Sequence, residues 1–237
     1  MNQHNRRSFL KYTGTAAIAW GLGGFPAFAE KADSPRIFPG ADDKKYTGEI
    51  VVAVTKSTNP LVDRAFRILQ DRIQRRCPIT VVSGEEAAPI RLAIDAAISP
   101  EAFRISDTET GVGIAGGSPR GLLYGIGKFL RTSRYSDGFQ PSRWRGLSEP
   151  RGSLRGMYFA THFHNWYHQA SEEEIRRYME DLALWGVNAF MTAFPMINLE
   201  GWEDPQAEPA LTMLKRYGKA ARELGMMYAT GAGNTLF

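Results

Sequence analysis

The chain has little of what usually staples or metallates a domain. Cys77 is the single cysteine in 237 residues, so no internal disulfide can form and stability must come from a buried core. Histidine is almost as scarce, with only His4, His162, His164 and His168. A long apolar run is missing too. The weakly apolar stretch Tyr12 to Phe28 is broken by Gly14, Gly21, Gly23, Gly24 and Pro26, whereas a membrane-spanning helix takes about 20 consecutive apolar residues. No stable membrane anchor is expected. Nor is there a basic stripe. Arg6, Arg7 and Lys11 account for three charges of the formal +4, and the other 26 basic residues are not concentrated on one element. That pattern excludes a nucleic-acid partner. The glycines of Gly113-Ile114-Ala115-Gly116-Gly117 match neither a Walker loop nor G-x-G-x-x-G, and no Lys-Ser/Thr pair follows. They read as packing glycines, and no nucleotide or other cofactor is implied.

What is present begins with an address. Asn5-Arg6-Arg7-Ser8-Phe9-Leu10-Lys11 precedes the broken apolar run, and Ala27-Phe28-Ala29 offers a small-residue cleavage site. This order predicts a twin-arginine signal peptide over residues 1–29, read by the export machinery. A periplasmic or secreted location follows as an expectation. Residues 30–48 read as a polar linker.

Residues 49–135 then show a mixed pattern. Glu49–Thr55 reads as a buried strand rich in β-branched residues. Asn59-Pro60 opens a helix in which Leu61, Ala65, Ile68, Leu69 and Ile73 recur at helical spacing, and Pro78 stops it. Strands are predicted at 79–82, 90–94, 103–105 and 111–115. Ser118-Pro119 caps a second helix that carries Gly121, Gly125 and Gly127. Each glycine weakens a helix by up to about 1 kcal/mol relative to Ala, a cost that predicts close approach to a sheet. The result is an α+β layer with its helices on one face. Residues 136–153 read as a loop and a domain boundary.

From Leu154 the pattern becomes strict strand–helix alternation. Strands are predicted at Leu154–Phe163, Val187–Phe194 and Met226–Thr230. The helices between them run from the Ser171-Glu172-Glu173-Glu174 capping box to Trp185-Gly186, and from about Pro209 to Gly225. Parallel strands need cover on both faces, and three such steps fall short of the eight in a closed (β/α)8 barrel of about 250 residues. The fold predicted is an α+β N-terminal domain followed, over residues 154–237, by the first three β/α units of a truncated TIM barrel. With an open sheet margin, the isolated chain is expected to be poorly soluble or unstable.

His162-Phe163-His164-Asn165-Trp166-Tyr167-His168 concentrates the histidines at the end of the first barrel strand. Strand parity puts His162 and His164 on the face of Tyr158 and Ala160, at the end where barrel enzymes place their sites. Three readings stand side by side. His162 and His164 could bind a divalent metal, as in metal-dependent amidohydrolases. His162, His164, Asn165 and Trp166 could hold a sugar through directional hydrogen bonds and an apolar ring face. Or the histidines could be satisfied by backbone groups. No Asp or Glu lies between Leu154 and Gln169. Glu200, Glu203 and Asp204 read as a solvated loop, and only Asn234 is polar and inward after the third strand.

Gly113-Ile114-Ala115-Gly116-Gly117-Ser118-Pro119-Arg120-Gly121-Leu122-Leu123-Tyr124-Gly125-Ile126, then Pro150-Arg151-Gly152-Ser153-Leu154-Arg155-Gly156-Met157-Tyr158-Phe159, then Trp185-Gly186-Val187-Asn188-Ala189, resemble two groups of enzymes. These are the bacterial α-glucuronidases (glycoside hydrolase family 67) and the β-N-acetylhexosaminidases (family 20). The resemblance implies a helper domain before a catalytic barrel, a glycan substrate and hydrolysis of O-glycosyl bonds. It matches Arg155 to an arginine that holds sugar hydroxyls, and it places the catalytic acids beyond Phe237, so this chain alone is expected to be inactive. Arg155, His162, His164, Asn165 and Asn234 are the expected substrate contacts, with no metal and no cofactor. A metal-dependent amidohydrolase using His162 and His164, or a non-catalytic carbohydrate-binding protein, are the alternatives.

Overall fold

The computed structural model describes residues 44–85, 87–161, 165–194, 199–201 and 203–231. The expected export signal lies outside them.

Strands β1 (Gly48–Val54), β2 (Ile79–Ser83), β3 (Ile90–Ile94), β4 (Phe103–Thr108) and β5 (Gly111–Gly116) form one sheet with β8 (Gly146–Ser148), in the order β2-β1-β3-β5-β4-β8. The β1–β2, β1–β3 and β3–β5 pairs are parallel, and β4 runs antiparallel to both β5 and β8. The register aligns Val52 with Ile90, Ile90 with Val112, and Leu92 with Ile114. Side chains alternate along a strand, so this register makes one continuous apolar face. The other face shows Glu49, Arg91, Arg104 and Ser106 to solvent.

Helices α1 (Pro60–Gln74) and α2 (Pro119–Thr132) cover the apolar face, each with proline in its first turn and a side-chain cap, from Asn59 and Ser118 respectively. The glycines of α2 do permit close approach. A Cβ on Gly125 would lie 2.8 Å from Ile114 Cγ2 in the sheet.

Residues 136–153, predicted as loop, contain more structure than their composition suggests. Phe139–Gln140 (β7) pairs with Arg134–Tyr135 (β6), and Tyr46 bridges to Phe139. Strand β8 extends the main sheet along β4.

The second part is a parallel three-stranded sheet, β11-β10-β9, made of β9 (Gly156–Phe159), β10 (Ala189–Ala193) and β11 (Met227–Gly231). Helix α4 (Glu172–Leu184) joins the first two and α5 (Ala207–Glu223) the last two, with the single turn α3 (Trp166–Gln169) before α4. Ser171 and Glu174 form the predicted capping box, and Gly186 leaves the helix at φ 92°. Phe159, Phe190 and Thr192 are buried toward the helices, while Tyr158, Met191 and Met227 on the other face are 44%, 46% and 63% exposed.

Strand β9 is shorter than the predicted Leu154–Phe163. It ends at Phe159 because the Thr161 N–H turns back to the Phe159 carbonyl at 2.8 Å. The strand parity expected for His162 and His164 falls on residues outside the described ones.

The α+β layer grips the parallel part from below, at the carboxyl ends of its helices. Arg131 donates to the Leu184 carbonyl at the end of α4, and Arg120 to the Gly225 carbonyl beyond α5, at 3.4 Å. Both arginines stand where a cation complements a helix dipole. The Arg131 guanidinium also lies 4.0 Å from the Trp185 ring centroid. On α4, the buried Glu180 meets Arg64 (3.7 Å) and Arg72 (3.4 Å) from α1 and Arg176 from its own helix. Burial pushes its carboxyl up, against the pull of the three guanidinium groups.

Candidate functional site

The carboxyl ends of β9, β10 and β11 open on one side, where barrel folds place their chemistry. His162, His164 and Asn234 lie outside the described residues. Asn165 and its supports are described. Thr161, fully buried, continues the sheet with its side chain after the β9 backbone has left it. Its Oγ1 donates to the Ala193 carbonyl and accepts the Ala193 N–H at 2.9 Å. His168 then closes the loop. Its Nδ1 accepts the Asn165 N–H at 3.2 Å, and its Nε2 lies 2.9 Å from the Thr161 carbonyl. These partners assign the neutral Nε2–H tautomer. Asn165 in turn caps α3, its Oδ1 accepting the Trp166 N–H at 2.9 Å.

A third tie comes from behind. Tyr217 of α5 donates its hydroxyl to the Tyr167 carbonyl. Burial pushes the Tyr217 phenol up to about 12, with Tyr167 and Tyr228 adding to the rise, so it stays a donor at every physiological pH. Below the loop, Phe159 stacks on Tyr167 with centroids 4.8 Å apart and meets Phe190 edge-on at 4.5 Å.

Asn165 is thus held among Thr161, Tyr167 and His168. His168 was not among the expected contacts. The signal was Asn165-x-x-His168, a capping box with histidine where Glu or Gln is usual. Replacing His168 with Ala should remove two hydrogen bonds, worth about 1–2 kcal/mol together. Amide exchange at Asn165 should then speed up by roughly tenfold, read by NMR, while the α+β layer keeps its protection.

Arg155 does not join Asn165. It precedes β9, at the opposite end of the strands, and its donors are committed there. Nε meets the Gly186 carbonyl at 2.6 Å, and the other two nitrogens meet the Gly152 carbonyl at 2.7 Å and Glu101 at 2.9 Å. Asn188, also buried, completes this lock. Its Oδ1 accepts the Arg155 N–H at 2.8 Å, and its Nδ2 donates to the Ser153 carbonyl at 2.7 Å and to Glu101 at 3.2 Å. Burial pushes Glu101 up, but hydrogen bonds from Asn188 and Arg155 and the charges of Arg155 and Arg120 outweigh it, leaving the carboxyl below its ordinary 4.5. A carboxylate with a depressed folded pKa contributes stability above its unfolded value and loses it as pH falls through the folded one. Acid titration of unfolding should therefore show a loss of stability below pH 4.5 that is smaller in Glu101→Gln.

Asp204 accepts the Gln206 N–H at 2.8 Å and the Glu200 N–H at 3.0 Å. These backbone bonds lower its carboxyl and set the turn into α5. Among the described residues, no three His, Cys, Asp or Glu side chains gather as a metal site would require.

No family model and no curated protein matches the sequence. Solved structures do resemble the fold. The family 20 β-N-acetylhexosaminidase of Streptomyces coelicolor superposes with a TM-score of 0.59 at 18% identity, over 81% of this chain and 43% of that one. A family 115 4-O-methyl-α-glucuronidase with specificity for decorated arabinogalactans gives 0.58 at 17% identity, over 78% and 29% of the two chains. A family 138 enzyme targeting pectin rhamnogalacturonan II gives 0.55 at 15% identity, over 75% and 30%. The chain thus spans well under half the length of each. The family 20 likeness is met again as a likeness of fold, whereas the family 67 likeness rests on the sequence motifs alone.

Proposed function

We propose that this chain supplies the helper layer and the opening strands of a carbohydrate-active hydrolase that cleaves O-glycosyl bonds. The observation that carries the reading is the joined pair of substructures. The α+β layer and the parallel strands superpose together on three families of glycoside hydrolases, covering 75–81% of this chain. Saccharide is held at the carboxyl ends of β9–β11 by Asn165, His162, His164 and Asn234. Asn165 is suited to the role because the clamps at Thr161, Tyr167 and His168 hold it before substrate arrives, which lowers the entropy cost of binding. Arg155 is a positioning residue in this reading. It fixes the start of β9 against the helper layer through Glu101. The paired acids such chemistry needs belong to further barrel strands, and export by the twin-arginine route delivers the enzyme to its glycan.

A panel of β-N-acetylhexosaminides, α-glucuronosyl oligosaccharides and pectic oligosaccharides, tested for binding to the full chain by calorimetry, examines this. At least one saccharide should bind saturably and lose most of its affinity in Asn165→Ala. Absence of binding across the panel, together with one equivalent of zinc retained by the wild type and lost in His162→Ala/His164→Ala, would establish the metal-dependent amidohydrolase instead.

A further inference from the structure

Charge is spread unevenly along the chain, in a way the mouth does not use. Residues 119–155 hold eight Lys or Arg against Asp137 and Glu149 alone, a formal +6, whereas the whole chain carries +4. The remainder is therefore net acidic. No single element owns this charge, which runs from α2 through β6 and β7 to the segment around β8. Part of it is neutralised within the molecule. Arg120 and Arg155 pair with Glu101, and Arg145 with Asp107. Lys128, Arg131, Arg134 and Arg151 make no ion pair among the described residues.

Two tryptophans stand beside these cations. Lys128 and Arg131 are three apart on α2, which makes them neighbours on one helix face. The Lys128 ammonium lies 5.0 Å from the Trp144 ring centroid, and the Arg131 guanidinium 4.0 Å from that of Trp185. Ser142 brings Trp144 there. Its hydroxyl meets Thr132 at the end of α2 and accepts the Trp144 N–H at 3.0 Å. The Trp144 ring also packs on Phe103, with centroids 6.0 Å apart. Trp185 is far more open, at 70% exposed, so Arg131 covers one ring face and leaves the other to solvent. Arg134, exposed, opens β6 just past the end of α2. Open indole rings among arginines mark a surface that meets a partner, because both residue types are enriched at interfaces.

We infer that this face binds an acidic polysaccharide, a chain of uronic acid residues. The apolar face of one pyranose ring lies on the open side of Trp185, and carboxylates along the chain meet Arg131, Lys128 and Arg134. A carboxylate suits the planar fork of an arginine, and repeated acid groups suit a field of one sign. A single sugar acid is too short to engage both tryptophan–cation pairs. The choice of a glycan over another polyanion rests on the carbohydrate reading above. The face itself is separate from the mouth. Trp185 precedes β10, at the amino ends of the strands, while the mouth lies at their carboxyl ends.

Hexagalacturonate titrated into the full chain at low salt tests the inference by NMR. The indole N–H groups of Trp185 and Trp144 are the reporters, and that of Trp166, at the mouth, is the internal control. Trp185 and Trp144 should shift saturably. Trp185→Ala, at a position mostly in water, should weaken binding by about tenfold, the loss of one good contact. Lys128→Gln/Arg134→Gln, which leaves the Arg131 cap on Leu184 in place, should weaken it at least as much, and so should methyl esterification of the hexamer. Asn165→Ala should leave this binding unchanged. Reporters that stay unmoved at millimolar hexamer would overturn the inference. Shifts at Trp166 alone, abolished by Asn165→Ala, would overturn it while leaving the mouth reading in place. Equal affinity for the methyl ester, for a thymidine hexanucleotide or for phosphatidylserine vesicles would also overturn the assignment to an acidic glycan.

Discussion

Replacing Phe159 with Ala is expected to cost about 3–5 kcal/mol of unfolding free energy, the range for deleting a buried phenyl ring. The side chain is 5% exposed and is the hub of an aromatic cluster. Its ring lies 4.8 Å from Tyr167, 4.5 Å from Phe190, 5.3 Å from Tyr178 and 6.1 Å from Tyr217. Such pairs add about 0.5–1.5 kcal/mol beyond their area. The neighbours cannot close the void easily, because Tyr217 is tethered to the Tyr167 carbonyl and Phe190 sits in the central strand. Urea denaturation of wild type, Phe159→Leu and Phe159→Ala should rank them in that order. Phe159→Ala should also loosen the Asn165 loop, since Tyr167 loses the ring it stacks on. A loss below about 0.5 kcal/mol, the range of a surface change, would mean that the cluster is not packed as described.

Gly127→Ala is the second large effect. Helix propensity alone favours the change by up to about 1 kcal/mol. Against that, the new Cβ would lie 1.9 Å from the Leu184 carbonyl oxygen and 2.7 Å from its carbon. Both are backbone atoms, so no rotamer change relieves the contact. The oxygen is also the acceptor of Arg131, so displacing it breaks the cap at the end of α4. Overpacking of this kind costs about 1–3 kcal/mol, and with a backbone obstacle the upper end applies. A net loss of about 2 kcal/mol follows once propensity is credited. Gly125→Ala is the control within the same helix. Its new Cβ meets side-chain atoms, Ile114 Cγ2 at 2.8 Å and Phe103 Cβ at 3.1 Å, and no backbone carbonyl, so its loss should be smaller than that of Gly127→Ala. Equal stability for the two variants, measured by thermal melting, would contradict the close approach of α2 to α4.

The sequence patterns located most elements because the physics behind them is local. The proline and cap at Asn59-Pro60, the capping box at Ser171 and the β-branched run from Glu49 each act within a few residues. What escaped depends on partners far along the chain. Gly127 reads as a glycine near a sheet, but the backbone it approaches is Leu184. The family resemblance makes Arg155 a sugar contact, but Glu101, 54 positions earlier, and Asn188 hold it at the other end of the strands. Strand β8 carries only Gly146, Leu147 and Ser148 and owes its conformation to the open margin of β4. The early end of β9 has a similar cause. Thr161 satisfies β10 with its hydroxyl, a substitution no periodicity announces. Of the expected contacts at the mouth, Asn165 is described, and the three clamps that position it come from residue types that read equally well as packing.

The central claim is that the carboxyl ends of β9–β11 receive a saccharide through Asn165 and its loop. Chemical-shift mapping of the full chain with N-acetylglucosamine and with glucuronate tests it most directly, using the Asn165 side-chain amide and the Trp166 indole as reporters. The account predicts saturable shifts confined to residues 161–168 and the ends of β10 and β11, abolished by Asn165→Ala. Shifts that appear only elsewhere, or none with either sugar, would contradict it.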